Sequence, residues 1–307
     1  MAGGARVLVV GAGVTGLSCA VRLLEAGHRV DVLARDLPLE TTSAVAAALW
    51  YPYRALPQER VTGWAARAYA EFGRLAGDPE TGVRMLSGTE ALSRQSPDPW
   101  WAGAVPSLER RQPPSGYDDA WSFVAPVVDM PVYLRWLLGR VSALGGTVTR
   151  MNLSALPEPD DGAVVVNCSA LGARLLAADP TVVPVRGQVV LVEQFGLEQW
   201  WLDDGDAHAP TYVVPRTRHV VVGGTAVEGE WSRTPSMAVA GTILARARRL
   251  VPELQQARVV RHRVGLRPVR PEVRVERSGD TVHCYGQGGA GVTVSWGCAD
   301  EVVRLVG

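Results

Sequence analysis

The sequence predicts a discontinuous two-domain α/β protein, with a nucleotide-binding unit assembled from separated segments and another unit inserted between them. Three observations lead there. Residues 6–10 form a β-branched and leucine-rich run that enters Gly11-x-Gly13-x-x-Gly16, then an apolar-periodic helix ending at Ala26-Gly27, then a strand over 28–36. That is a β-turn-α-β unit of about 30 residues, the setting a dinucleotide fingerprint requires. The stretch AVVVNCSA (163–170) is continuously apolar, as a parallel strand buried on both faces would be, yet it lies far along the chain. A second glycine-rich stretch, HCYGQGGAGVTVSWGCA (283–299), joins a β-like run to a helix-like run close to the other end.

The remaining elements follow in order. Helices are predicted over Trp64–Leu75, over Pro131–Leu144, with proline at its start and Gly145-Gly146 at its stop, and over Met237–Leu250. Strands are predicted over 147–151, 163–167, 186–192, 211–215, 219–223, 259–265, 272–276 and 281–285. The tryptophan pairs at 100–101 and 200–201 are expected to fill core or interface. No internal repeat or low-complexity tail interrupts this pattern.

Composition narrows the function. Of 307 residues 47% are hydrophobic and 20% charged, and the formal net charge is zero, so nothing points to nucleic acid or an anionic membrane surface. All 31 basic residues are arginine. The absence of lysine excludes a Schiff-base lysine, a pyridoxal-phosphate enzyme and a Walker-type phosphate loop. Cys19, Cys168, Cys284 and Cys298 show no C-x-x-C spacing and read as buried thiols of a reducing compartment. Five scattered histidines give no metal-ligand spacing, and no metal site is expected. No apolar run reaches the roughly 18 residues a membrane span needs, and no signal peptide is read, so a cytoplasmic protein is expected.

The motifs carry the chemistry. Gly11 makes the tight turn, Gly13 lets backbone approach a pyrophosphate, and Gly16 lets the helix pack on the sheet. The helix N-terminus adds free N–H groups and partial positive charge. Asp36, 20 residues after Gly16, stands where a carboxylate accepts from ribose hydroxyls. Arg35 beside it either stacks on adenine or pairs a 2′-phosphate, and the two together also read as a solvated charge pair. ETTSAVAAALWYPY (40–53) suits backbone lying against a phosphate and a flat ring, or equally an N-capped helix start. In GLRPVRP (265–271), Arg267 and Arg270 each precede a proline and are biased to extended backbone, so at most one faces a given pocket. An arginine in a dry cleft clamps a carboxylate through two parallel bonds. TYVVPRTRHVVVGGT (211–225) reads as a hairpin whose Tyr212 is either a second donor to that anion or a core tyrosine. A glycine loop entering a helix near Gly291 would set N–H groups against the N1–C2=O edge of a flavin, an arrangement nicotinamide enzymes do not need.

These residues resemble the D-amino-acid oxidases, FAD enzymes of the glutathione-reductase-like Rossmann superfamily. The family signature is matched by His283, Tyr285, Gly286, Gly288, Gly289, Gly291, Gly297 and Ala299, with Cys284 and Thr281 departing from the usual residues. The resemblance runs through GAGVTGL, ARDLP, TTSAVAAALWYPY, VVVNCSA, VRGQVVLV, YVVP and GLRPVRP, essentially the whole chain. It implies an FAD-binding Rossmann-like domain over 1–50, 129–184 and 262–307. An interleaved α+β substrate domain, built on a mostly antiparallel sheet, takes 51–128 and 185–261.

The resemblance also implies site residues. Arg267 would clamp the substrate carboxylate, Tyr212 would assist, and the Gly289 carbonyl would accept from the amine; Leu49, Tyr51 and His208 would border the substrate. FAD would contact Gly11, Ala12, Gly13, Val14 and Gly16, then Arg35, Asp36, Thr41, Thr42, Ser43, Ala48 and Leu49. Leu153, Ser169, Arg267 and the run Gly288, Gly289, Ala290, Gly291, Val292 and Thr293 would complete its site. His208 stands where relatives carry a lid tyrosine, and the stretch 188–212 is a few residues short. The implied activity is oxidative deamination of neutral or apolar D-amino acids by hydride transfer from Cα to flavin N5. Oxygen accepts the electrons, and the products are a 2-oxo acid, ammonia and H2O2. A D-aspartate oxidase, or a D-amino-acid dehydrogenase using another acceptor, is the alternative. Substrate and oxygen are the expected partners, and a homo-oligomer stays open.

Overall fold

The computed structural model describes residues 4–158, 162–203 and 205–307. Strand β1 (Arg6–Val10) buries Val7 and Val9 completely and pairs in parallel with β2 (Arg29–Ala34) on one side. On its other side lies β7 (Val164–Asn167), in register Val7↔Val164. All four residues of β7 are buried, as a central strand covered on both faces must be. Helix α1 (Val14–Glu25) joins β1 to β2 and buries Leu17, Ala20, Val21 and Leu23. Its end is marked by Gly27, whose φ of +89° is the left-handed conformation that glycine adopts without strain. Strand β6 (Thr147–Arg150) extends the parallel half beyond β2, and β14 (Thr281–Gln287) extends it beyond β7.

The other half of the same sheet is mostly antiparallel. It contains β3 (Val83–Leu92), β4 (Glu109–Arg110), β5 (Asp119–Val128), β8 (Val183–Glu193), β9 (Trp200–Asp203), β10 (Thr211–Pro215), β11 (His219–Gly223), β12 (Val227–Glu228) and β13 (Val259–Ser278). The order is β4-β5-β3-β9-β10-β11-β8-β13-β14-β7-β1-β2-β6, with β12 on β8. Helices α2 (Gln58–Leu75), α3 (Met130–Ala143), α4 (Ala173–Leu176), α5 (Met237–Leu250) and α6 (Ser295–Val306) complete the fold.

Several boundaries differ from expectation for physical reasons. The strands predicted over 259–265 and 272–276 are one strand, β13. Its register shifts between Val269 and Arg274, so the break at Pro271 is absorbed as an irregularity rather than a loop. Helix α2 begins at Gln58 rather than Trp64, because its first turn is polar and carries no apolar period. The second glycine loop does not enter a helix near Gly291; residues 288–294 form turns and α6 begins at Ser295. Strands β3, β5 and β9 had no local signal. They form around aromatic packing: Trp200 and Trp101 are buried, with Phe123 between them at centroid distances of 4.7 and 5.0 Å. Trp100 stays exposed. Gly88 on β3 is demanded by that packing, since a Cβ there would lie 2.1 Å from the Trp200 ring.

Helix α6 seats on α2 through a similar contact. A Cβ on Gly297 would meet the Trp64 backbone at 2.3 Å, and no side-chain rotation can relieve that clash. Gly297→Ala is expected to cost about 1–3 kcal/mol, read as a lower thermal midpoint. Gly63→Ala, on α2 with nothing within 4 Å, is the control and should hold or raise the midpoint.

Candidate active site

A cavity of about 910 Å³ is lined by residues from both halves of the sheet. At one end stands the first glycine loop. Gly11 has φ +116°, and a Cβ there would lie 2.4 Å from the Cys168 carbonyl oxygen. On Gly16 a Cβ would lie 1.9 Å from the Gly11 carbonyl oxygen. Gly13 is different: only Ser43 Oγ approaches, at 3.2 Å, so its face is open to the cavity. The Val14 N–H, at the start of α1, donates to Ser43 Oγ at 3.0 Å. Backbone packing thus fixes the turn while the helix N-terminus faces the space a pyrophosphate would take.

Arg35 and Asp36 sit at the end of β2 on the rim. They pair with each other at 2.7 Å, and the Arg35 hydrogen bond holds the Asp36 carboxyl below its usual range against partial burial, with Arg233 and Arg150 adding. Residues 40–53 do not make a regular helix. Two short turns, Pro38–Glu40 and Thr42–Val45, lead into extended backbone bridged to β5 through Leu49↔Val127. Thr42 Oγ1 donates to the Leu266 carbonyl at 3.1 Å, tying this segment to β13.

Arg267 occupies the inner end, half-buried. Its Nη1 donates to the Thr225 carbonyl at 2.8 Å, and the guanidinium lies over Gly187, where a Cβ would be 2.5 Å from Nη1. The Tyr53 ring faces it at 5.8 Å. Among the described residues no carboxylate pairs with Arg267. Arg270 points elsewhere, to Asp179 at 2.9 Å, so only one of the two arginines serves the cavity. Tyr212 pairs with Gly223 across the β10–β11 hairpin, and its side chain lies against Gly223 and Gly224, where a Cβ would be 2.0 Å from the ring and 2.5 Å from the hydroxyl oxygen. The second glycine loop is pressed under residues 53–54: a Cβ on Gly288 would meet the Arg54 carbonyl at 2.3 Å, and one on Gly289 the Tyr53 ring at 2.4 Å. Thr293 is exchanged with the Tyr51 backbone by two 3.0 Å hydrogen bonds.

The cavity wall therefore includes Gly11, Ala12, Gly13, Val14, Arg35, Asp36, Thr41, Thr42, Ser43, Ala48, Leu49, Tyr51, Leu153, Ser169, Tyr212, Arg267, Gly288, Gly289, Gly291, Val292 and Thr293. Three expected contact residues are corrected. Gly16 lies behind the loop, where its role is to admit the Gly11 carbonyl. Ala290 is fully buried away from the cavity. His208 is exposed and off the wall: its N–H donates to Asp206 and its carbonyl accepts from Ala226, while Tyr53 and Arg54 donate to the neighbouring Ala207 carbonyl. Sequence reasoning missed Tyr53, Gln287, Trp231 and Arg233, all on the wall. Tyr53 was findable, since it is two residues from Tyr51 in an extended segment. Trp231 and Arg233 carry no local signal.

His283, the first residue of the second glycine-rich stretch, acts on the wall through a relay. Asn167 Oδ1 accepts from the Ser169 N–H at 3.1 Å and from its hydroxyl at 2.6 Å, which orients the amide so that Nδ2 faces His283 Nδ1 at 3.3 Å. That nitrogen must then accept, so the imidazole is neutral with its proton on Nε2. Burial, and next the charge of Arg274, push His283 down from 6.5 to about 4.

Comparison with known proteins gives the class. Residues 6–305 match the DAO family, described as FAD dependent oxidoreductase, and the chain belongs to that family. Its cofactor is FAD. The chain is 52% identical over 313 residues to the D-amino-acid oxidase of Rubrobacter xylanophilus, covering 99% of this chain and 96% of that protein. It is 36% identical over 328 residues to the D-aspartate oxidase of Homo sapiens, covering 98% and 94%. The crystal structure of glycine oxidase from Geobacillus kaustophilus shares the fold, with a TM-score of 0.82 at 19% identity, covering 98% of this chain and 95% of that one. The cavity fits FAD: it joins an anion-binding helix N-terminus to a second glycine loop, and its volume is in the range of cofactor sites.

The His283 relay yields a pH prediction. An unfolded histidine gains its proton near pH 6.5 and the folded one only near 4, so this contribution to stability is complete above about 6.5. It is lost as pH falls from there towards 4. Urea midpoints of the wild type should drop between pH 7 and pH 5, and His283→Gln should show a smaller drop; equal drops would refute the assignment.

Proposed function

We propose that the protein is a D-amino-acid oxidase acting on neutral D-amino acids, giving 2-oxo acids and ammonia while O2 becomes H2O2. The observation that carries this reading is Arg267, a guanidinium without a carboxylate partner among the described residues, at the inner end of a cavity that opens with a pyrophosphate loop. FAD, held by the two glycine loops, would supply the two-electron redox chemistry of this oxidation. Arg267 clamps the substrate carboxylate, and its bond to Thr225 holds the guanidinium at the angle the clamp needs. The Tyr212 hydroxyl adds a donor to the same carboxylate. The Gly289 carbonyl accepts from the amine, so both substituents of Cα are held and one C–H is presented. Tyr53, Val189 and Leu202 close the wall and keep water from the reacting carbon. Orientation then supplies most of the rate, roughly 7–11 kcal/mol being available from it, and no side chain need act as a base.

A preference for neutral over acidic side chains rests on the arginines that line the cavity. Arg35 and Arg233 act on Asp36 at the outer end, and Arg174 is bonded to the Pro180 and Val182 carbonyls. Arg216 is buried off the wall and donates to the Ala46 and Ala47 carbonyls. Among the described residues on the wall, Arg267 is the arginine that faces Tyr53 at the inner end, which supports a single carboxylate clamp there. The proposal takes residues 1–50, 129–184 and 262–307 as the FAD-binding domain, with 51–128 and 185–261 as the substrate domain. All four cysteines are free thiols, which supports a reducing, cytoplasmic setting.

The test is the visible spectrum of the purified protein under nitrogen, before and after D-valine, L-valine or D-aspartate. Flavin bands should bleach with D-valine, persist with the other two, and return with air; bands that persist with every D-amino acid would remove the reading. Arg267→Ala should lose about 3–5 kcal/mol of transition-state binding, seen as a fall in kcat/KM with FAD retained. Gly187→Ala should push the same guanidinium aside and raise KM roughly 10- to 100-fold while the spectrum of bound flavin stays unchanged.

A further inference from the structure

The proposed oxidation uses none of the four cysteines, yet the fold gathers three of them. Cys19 is on α1, Cys168 follows β7 and Cys284 is on β14. The Sγ atoms of Cys19, Cys168 and Cys284 all lie within 4.8 Å of one another, with Cys19 and Cys168 at 3.9 Å. All three are buried. Thiols used only as small apolar fillers have no reason to converge, since alanine or valine serves equally at each separate position. Here three cysteines from distant parts of the chain bring their sulfurs together.

The spacing suits one ion. A Zn–S bond of about 2.3 Å places sulfurs roughly 3.8–4.0 Å apart around a tetrahedral or trigonal centre. The Cys19–Cys168 pair already has that separation, and the third sulfur lies within about 1 Å of it. We propose that Cys19, Cys168 and Cys284 form a three-thiolate site for a single Zn2+ ion. Each S–Zn bond replaces an S–H bond and releases its proton to solvent, with no change in oxidation state. Soft sulfur donors in a closed core select this class of ion over Mg2+ or Ca2+.

The position gives the site a structural consequence. The Cys168 carbonyl packs on Gly11, and the Cys168 N–H donates to the Val10 carbonyl at 2.9 Å, so the ion would fasten the elements directly beneath the first glycine loop. It would tie α1 to the chain after β7 and to β14, beside the Asn167–His283 hydrogen bond that already joins the two strands.

The FAD-loaded enzyme, expressed with added Zn2+ and desalted, is assayed for bound zinc by elemental mass spectrometry. About one ion per chain is expected. Expression with Cd2+ instead should give a thiolate-to-cadmium charge-transfer absorption in the ultraviolet, and Cys19→Ala or Cys284→Ala should lose both it and the zinc. Metal-loaded wild type should also melt at a higher temperature than protein expressed in zinc-depleted medium. No bound zinc together with no cadmium band overturns the proposal, as does a shortfall of free thiols on denaturation that shows the cysteines joined as a disulfide. Both measurements use the wild-type protein, so they stand even where a variant fails to fold, and neither depends on turnover.

Discussion

Strand β13 carries Arg267 from the antiparallel half of the sheet to the cavity wall, where its guanidinium rests on a residue without a side chain and donates to one carbonyl. A buried or half-buried cation with no carboxylate beside it is costly, and the surroundings lower that cost only in part. Thr225 provides one acceptor and the Tyr53 ring a favourable face. What remains is a standing demand for an anion. Gly187 on β8, the Tyr212–Gly223 pair and the second glycine loop are all placed around that demand.

Glycine-mediated contact is the second organising constraint. Gly16 against Gly11, Gly11 against Cys168, Gly288 against Arg54 and Gly297 against Trp64 are approaches that leave no space for a Cβ. Two of them build the first glycine turn, one holds the second loop under residues 53–54, and one seats α6 on α2. The two glycine loops are therefore parts of the core rather than loose surface, as preorganised binding of a large ligand requires.

The His283–Asn167–Ser169 chain links these two regions. It runs from β14 through β7 to the cavity wall and is neutral throughout, so it orients a hydroxyl without adding charge near the pyrophosphate loop. The thiol cluster lies between the same two strands and α1. Both features place polar or ionisable groups inside the parallel half, where a wholly apolar core would have been simpler to build.

What could be read from the residues alone was whatever rests on local geometry. The β1–α1–β2 unit, the valine run of β7, the hairpin at 211–223 and the two glycine loops each declare themselves through periodicity or positive-φ glycine within a few residues. Arg267 and Tyr212 were legible only as candidates: the prolines left Arg267 and Arg270 open, Tyr212 read equally as a core tyrosine, and the family resemblance alone chose between these readings. The pairing of β3 with β5 was not legible, because Gly88 and Pro126 argue locally against strands and only Trp200, more than 100 residues on, makes them favourable. Nor was the exposure of His208, since four-residue spacing along a loop does not determine which side of it meets the cavity. Trp231, Arg233 and the meeting of three distant cysteines were decided by tertiary structure alone: these contacts depend on how the sheet is closed and on which segments it brings together, and that information is not carried by any one stretch of chain.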